Sequence, residues 1–204
     1  NLVHTKLELR FDFPKAQAYG KAWLTLKPHF YSTDSLTLDA KYMDIKEVDI
    51  VKGNSKSKLK YRYDSLQLYI ILDKVYKKGE AYTIYINYIS RPEDVKSKGS
   101  AAITEAKGLY FINGDGKGEY MTQLWTQGET EANSVWMPTI DKPNQKTTQE
   151  ISMTVPADMV TLSNGVLASQ KKNQDGTRTD TWKMDLPNSR YLLFVGAGDF
   201  AIVK

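Results

Sequence analysis

The sequence predicts an antiparallel, largely all-β domain, and three observations carry that prediction. Apolar residues recur with a period of two in segment after segment, β-favouring residues are abundant (13 tyrosines beside many Thr, Val and Ile), and no stretch keeps a helical period beyond a turn or two. Taken in order, Leu7, Leu9, Phe11 and Phe13 alternate with Lys6, Glu8, Arg10 and Asp12, the pattern of a strand with one face buried. Ala22, Leu24 and Leu26 resume it after a turn region from Pro14 to Gly20. Leu66, Leu68, Ile70 and Leu72 alternate with Gln67, Tyr69, Ile71 and Asp73, and Tyr82, Ile84, Ile86 and Tyr88 do so around Thr83, Tyr85 and Asn87. Between those two runs, Lys77-Lys78-Gly79-Glu80 reads as a hairpin connection. Near the end, Asp175-Gly176 predicts a type I′ turn joining Val166-Leu167-Ala168 to Thr181-Trp182-Lys183-Met184. From Arg91 to about Gly108 the chain is polar and predicts a long surface excursion. The strands before it are too few to close their own core, so residues 1–204 are expected to form one domain, with no internal repeat.

Composition excludes several chemistries. With no cysteine, disulfides, thiolate metal sites and cysteine nucleophiles are absent, and the two histidines, His4 and His29, are too far apart in sequence for an H-E-x-x-H helix. Each reads as a structural strand histidine. Lys and Arg total 28 against 24 Asp and Glu, a formal charge of +4, and the lysines (Lys56, Lys58, Lys60; Lys77, Lys78; Lys96, Lys98; Lys171, Lys172) lie beside turn residues. They read as solvated loops, not a nucleic-acid interface. Mean hydropathy is -0.50, and there is no apolar run approaching the roughly 20 residues of a transmembrane helix. The chain opens on Asn1 without an initiator methionine, which fits a trimmed N-terminus.

Among candidate sites, Asn113-Gly114-Asp115-Gly116-Lys117-Gly118-Glu119 has neither phosphate-loop nor EF-hand spacing. It predicts a hairpin tip joining Leu109-Tyr110-Phe111 to Tyr120-Met121-Thr122. Ser163-Asn164-Gly165 has no nucleophile elbow around it and reads as a turn. Glu129 and Glu131 make a weak case for paired-carboxylate chemistry. The segment from Trp125 to Thr148 is denser in unusual residues. Pro138 and Pro143 bracket Asp141, leaving that carboxylate to cap neighbouring amides. Gln127 and Glu129 are two apart, so on an extended segment both project to one face, where a carboxylate beside an amide suits a cationic amine. From chemistry alone, ordinary strand-end polarity in solvent is the preferred reading of the same residues.

The spacing of this segment resembles the N-terminal domain of the aminopeptidase N family of zinc metallopeptidases. That family shows T-Q-x-E, then proline, aspartate, proline and lysine nine, twelve, fourteen and seventeen residues after the glutamate. Thr126-Gln127-Gly128-Glu129 is followed by Pro138, Asp141, Pro143 and Lys146 in that register. Gly108-Leu109-Tyr110, Ser163-Asn164-Gly165, Tyr191-Leu192 and Gly198-Asp199-Phe200 resemble further family pieces in the same order. Departures are Asn133-Ser134 for a frequent Ala-Arg, Thr139 for a usual cysteine, and Met137, with Trp136 one place earlier, for the aromatic before the first proline.

The resemblance implies a saddle-shaped, mostly antiparallel multi-sheet domain docked against a thermolysin-like catalytic domain of the same chain. Glu129 is then implied to anchor the free α-amine of a peptide substrate and Gln127 to line the pocket for its first side chain. Zinc would belong to the full-length enzyme, since the 204 residues contain no H-E-x-x-H and no G-A-M-E-N. The chain is accordingly expected to be a fragment, inert by itself, with the catalytic domain after residue 204. Two rival readings are a non-catalytic scaffold module of the same fold and an exported β-sandwich that binds glycans.

Overall fold

The computed structural model describes residues 1–95 and 106–202. The middle of the polar excursion, with Lys96 and Lys98, lies outside the described residues. Strands in chain order are β1 (Leu2–Asp12), β2 (Gln17–Leu26), β3 (Thr33–Asp39), β4 (Met43–Lys52), β5 (Ser55–Lys58), β6 (Lys60–Tyr63), β7 (Gln67–Tyr76) and β8 (Tyr82–Ser90). They continue as β9 (Leu109–Ile112), β10 (Gln123–Thr126), β11 (Lys146–Pro156), β12 (Val160–Ser163), β13 (Val166–Lys172), β14 (Thr177–Ser189) and β15 (Val195–Gly198). Helical structure among the described residues is limited to the single 3-10 turns Pro92–Asp94, Asn133–Val135 and Arg190–Leu192. None is long or apolar enough to cross a membrane.

The strands form three sheets. The largest has the order β13-β14-β11-β1-β2-β8-β4-β5, a second runs β12-β15-β10-β9, and a third β3-β7-β6. Among the described residues every strand pairing is antiparallel except that of β1 with β11. One apolar cluster joins them: Leu7, Leu24 and Ile84 from the first sheet, Leu109, Leu124 and Val195 from the second, and Leu38, Leu68 and Ile70 from the third. The period-two pattern explains which faces turn inward, because alternate residues of a strand point to opposite faces of the pleat. The other face of the large sheet carries hydroxyl pairs (Ser152 with Thr181, 2.8 Å; Thr154 with Thr179, 2.9 Å) and Glu150 between Lys6 and Lys183. Tyr85 projects there yet is only 4% exposed, since Trp23 tilts against it and the Lys56 ammonium lies 3.5 Å from its ring centroid.

Three connections differ from the expectation. β7 and β8 do not form a hairpin: Lys77–Glu80 carries the chain from the three-stranded sheet to the large one. Both strands present an apolar row to the shared core, so they belong to facing layers, which local alternation does not distinguish from neighbours in one sheet. The Asp175-Gly176 turn is not type I′, because only Gly176 has positive φ (+78°) and the loop is longer, closed by Asn173 N donating to Thr177 O (2.9 Å). The glycine-rich tip does join β9 to β10, but the second strand starts at Gln123 and not Tyr120. Asn113 organises that tip, its Oδ1 accepting from Gly118 N (2.6 Å).

The large and four-stranded sheets are tied by a charge pair whose carboxylate is buried. Arg178 on β14 donates from Nε and Nη2 to Asp180 (2.7 and 2.8 Å) and from Nη1 and Nη2 to the carbonyls of Ala157 and Met159. Thr161 on β12 donates to the same carboxylate at 2.7 Å. Burial pushes the Asp180 carboxyl up, but Arg178 and Thr161 outweigh it and hold the group below its ordinary value.

Candidate functional site

The site is assembled where β10 leaves its sheet. Tyr110 and Trp125 stack across the β9–β10 pair at 4.5 Å, and Thr126 closes the strand by accepting from Val195 N at 2.9 Å. Gln127 N donates to Gly108 O (2.9 Å), and Gly108 has φ +69° with no room for a side chain, since a Cβ there would collide with the Ala132 carbonyl oxygen. β10 ends at Thr126. The Gln127 side chain folds back so that its Oε1 accepts from the Glu129 amide, and the Glu129–Thr130 peptide is cis. Gly128 sits between them in a second close approach: a Cβ would be 2.5 Å from Tyr191 O and 2.6 Å from Asn133 Nδ2.

The following turn is held from three directions. Ala132 N donates to Gly128 O (3.1 Å) and starts the 3-10 turn Asn133–Val135. Asn133 is fully buried; its Oδ1 accepts from the Trp136 indole (2.8 Å) and its Nδ2 donates to Arg190 O. Two departures from the family pattern, Asn133 and Trp136, thus satisfy each other one turn apart. Asp141 behaves as its flanking prolines suggest, accepting from Ser134 N at 2.8 Å while its own amide donates to Asp39 Oδ2 at 2.9 Å. Asp39 and Thr139 also exchange both backbone bonds (2.7 and 3.0 Å). Lys41 completes the clamp, donating from Nζ to Glu131 O (2.6 Å) and from its amide to Ser134 O (2.7 Å).

This framework borders a cavity of about 340 Å³ lined by Glu129, Thr130, Glu131, Asp141, Lys142, Pro143 and Tyr191. Three carboxylates face one lysine. Lys142 is already engaged, its Nζ 2.7 Å from Glu131 Oε1, and that bond raises the ammonium's pKa. Burial pushes the Asp141 carboxyl up, and the Ser134 amide with the charges of Lys41 and Arg190 pulls it partly back. Glu129 is exposed and has no ion-pair partner among the described residues. The arrangement therefore offers one free carboxylate at a predominantly acidic cavity, which suits a cation carrying N–H donors.

The two sequence-derived residues meet, but differently from the period-two picture. Gln127 contributes its side-chain oxygen to the Glu129 backbone and is not among the residues lining the cavity. Tyr191 and Lys142 carry no site signal in the sequence; Tyr191 stands only in the closing-strand pattern. The remaining candidates are structural. His4 Nδ1 contacts Thr148 Oγ1 (2.7 Å) on β11, and His29 Nδ1 contacts Asn1 Nδ2 (3.0 Å). Asn164 staples the Ser163–Gly165 turn to the segment after Tyr191, donating to Leu192 O (2.9 Å) and accepting from Phe194 N (2.7 Å). Among the described residues no three His, Asp or Glu side chains gather closely enough to hold a metal ion.

Fold and site together define an all-β domain in which the segment after β10 presents the Glu129 carboxylate at a cavity edge. Residues 2–192 match the Peptidase M1 N-terminal domain family, and the chain belongs to it. In sequence it is 29% identical over 123 residues to the probable aminopeptidase 1 of Saccharolobus solfataricus, covering 60% of this chain and 15% of that protein. It is 21% identical over 196 residues to leucine aminopeptidase 2 of Vanderwaltozyma polyspora, covering 96% of this chain and 28% of that protein. In structure it is similar to the M1 zinc metallopeptidase of Deinococcus radiodurans (TM-score 0.81, 18% identity, 97% of this chain and 42% of that one). The native yeast LTA4 hydrolase also matches (TM-score 0.73, 20% identity, 100% of this chain and 29% of that one). The chain thus spans less than a third of the curated relatives it matches.

Proposed function

We propose that this domain forms the amine-recognising wall of a zinc-dependent aminopeptidase. The carboxylate of Glu129 accepts charge-assisted hydrogen bonds from the α-ammonium of a peptide's first residue, and Gln127, which does not line the cavity itself, braces the Glu129 amide. The observation that carries this reading is the unpaired Glu129 carboxylate at an acidic cavity, within the segment whose spacing resembles the family motif. A variant of the Deinococcus radiodurans relative is described with a Tyr-Ser-Ala substrate bound, which supports a peptide as the ligand class.

In this reading the domain's contribution is to bind and orient the peptide. Holding the ammonium group fixes which peptide bond is presented, converting part of the binding energy into positioning. Hydrolysis is assigned to a catalytic domain elsewhere in the full-length enzyme. Leu162, Val166 and Leu192, around the Asn164 turn beside Tyr191, are 52%, 67% and 50% exposed and offer apolar surface for its docking. In the full-length enzyme, Glu129→Ala should lower kcat/KM for a free-amine aminoacyl anilide by about 10- to 100-fold, the loss of one or two hydrogen bonds to a charged group. An unchanged kcat/KM contradicts the assignment.

A further inference from the structure

Arg190 is left unused by the proposed function. It opens the 3-10 turn that carries Tyr191 of the cavity wall, and it is 1% exposed. Its guanidinium donates to Thr5 Oγ1 at 3.4 Å and to Met137 Sδ at 3.1 Å, both neutral and weak acceptors. Its Nε has no partner, and no described carboxylate forms an ion pair with it. Removing a guanidinium from water is expensive, and a buried cation is ordinarily offset by a paired anion. Here the opposing charge is Asp141, also buried at 2% exposure, whose Oδ2 accepts from Ser134 N. The two charges sense each other: burial draws Arg190 down to about 10 while Asp141 pushes it back up. Both charged groups touch one turn: the guanidinium contacts Met137 Sδ and the Asp141 carboxylate accepts from Ser134 N.

We infer that Arg190 is a positioning residue for Glu129: with Asp141 it grips the Asn133–Met137 turn from two sides and so holds Gly128 to Glu131 in the arrangement that presents the Glu129 carboxylate to the cavity. The mechanical path is short. The guanidinium contacts Met137 Sδ, Met137 N donates to Asn133 O at 3.1 Å, Gly128 packs directly on Asn133, and Glu129 follows Gly128. A methionine would fill similar volume without the charge, which separates the electrostatic grip from simple packing. The inference rests on the amine-binding role of Glu129.

A double-mutant cycle in the full-length enzyme tests it, with kcat/KM for a free-amine aminoacyl anilide measured per folded protein. Arg190→Met should lower kcat/KM about 10-fold, Arg190→Lys should recover most of that loss, and Arg190→Met should add little further loss once Glu129→Ala is present. If the loss is the same with and without Glu129, or if Arg190→Met affects only thermal stability, the inference is overturned while the amine role stands. If Glu129→Ala itself changes nothing, the amine-binding reading falls and takes this inference with it. Should Arg190→Met fail to fold, Arg190→Met with Asp141→Asn, which removes both buried charges, takes its place in the cycle under the same criteria.

Discussion

Gly128, Asn133 and Asp141 show how single residues set the site. Gly128 is demanded by contact: an added methyl would sit 2.5 Å from Tyr191 O and 2.6 Å from Asn133 Nδ2, so Gly128→Ala must displace one of two site elements. It should destabilise the domain by about 1–3 kcal/mol, as overpacking does, and lower kcat/KM at the same time; thermal unfolding and kinetics on the full-length enzyme check both. Asn133→Ala strands the Trp136 indole and loosens the Arg190 carbonyl, with an expected loss of about 1–3 kcal/mol in denaturant unfolding. Asp141 has a pH signature. Burial raises its carboxyl in the folded chain, so its contribution is fully present below the ordinary value of 3.8 and is lost as pH rises through the raised one. Asp141→Asn removes that titration, and stability measured from acidic toward neutral pH should then decline less steeply than in the unmodified protein.

At the level of elements, the strands are legible in the sequence and their partners are not. The rows Leu7-Leu9 and Ile84-Ile86 are local patterns and are buried as their alternation indicates, whereas Leu66, the first residue of another row, falls before β7 and is 48% exposed. Sheet membership depends on contacts remote in sequence. β7 and β8 look like a hairpin from within the chain, yet β7 pairs with β3 and β6 while β8 pairs with β2 and β4. The cavity shows the same limit. Glu129 and Pro143 come from one segment, but Tyr191 and Arg190 arrive from the 3-10 turn before β15, and only the fold brings them together. Period-two spacing has Gln127 projecting with Glu129; β10 ends one residue too early for that, and the side chain caps an amide instead. The tie between β14 and β12 is testable by itself. Arg178 and Thr161 hold Asp180 below its ordinary value, so this group stabilises the fold above pH 3.8 and the benefit disappears as pH falls through the lowered value. Arg178→Met should cost about 3–5 kcal/mol near neutral pH, because it leaves a buried carboxylate without its partner, and the deficit should shrink on acidification.

On the scale of the whole molecule, three sheets around one apolar cluster hold a short, tightly packed turn at the edge of the fold. The described residues supply the rigid frame and one unpaired carboxylate, and the family membership supplies the context of an aminopeptidase. Comparable domains occupy 28% and 42% of the matched Vanderwaltozyma polyspora and Deinococcus radiodurans proteins, which leaves most of such an enzyme to other parts of the chain. In the proposed division of labour this domain recognises the peptide's end and the remainder cleaves. The most direct measurement compares the affinity of the full-length enzyme for a short peptide and for its des-amino counterpart, before and after Glu129→Gln. The free amine should favour binding by about 10- to 100-fold in the unmodified enzyme, and that preference should collapse toward unity in the variant. A preference that survives Glu129→Gln undiminished would place amine recognition elsewhere and contradict the account.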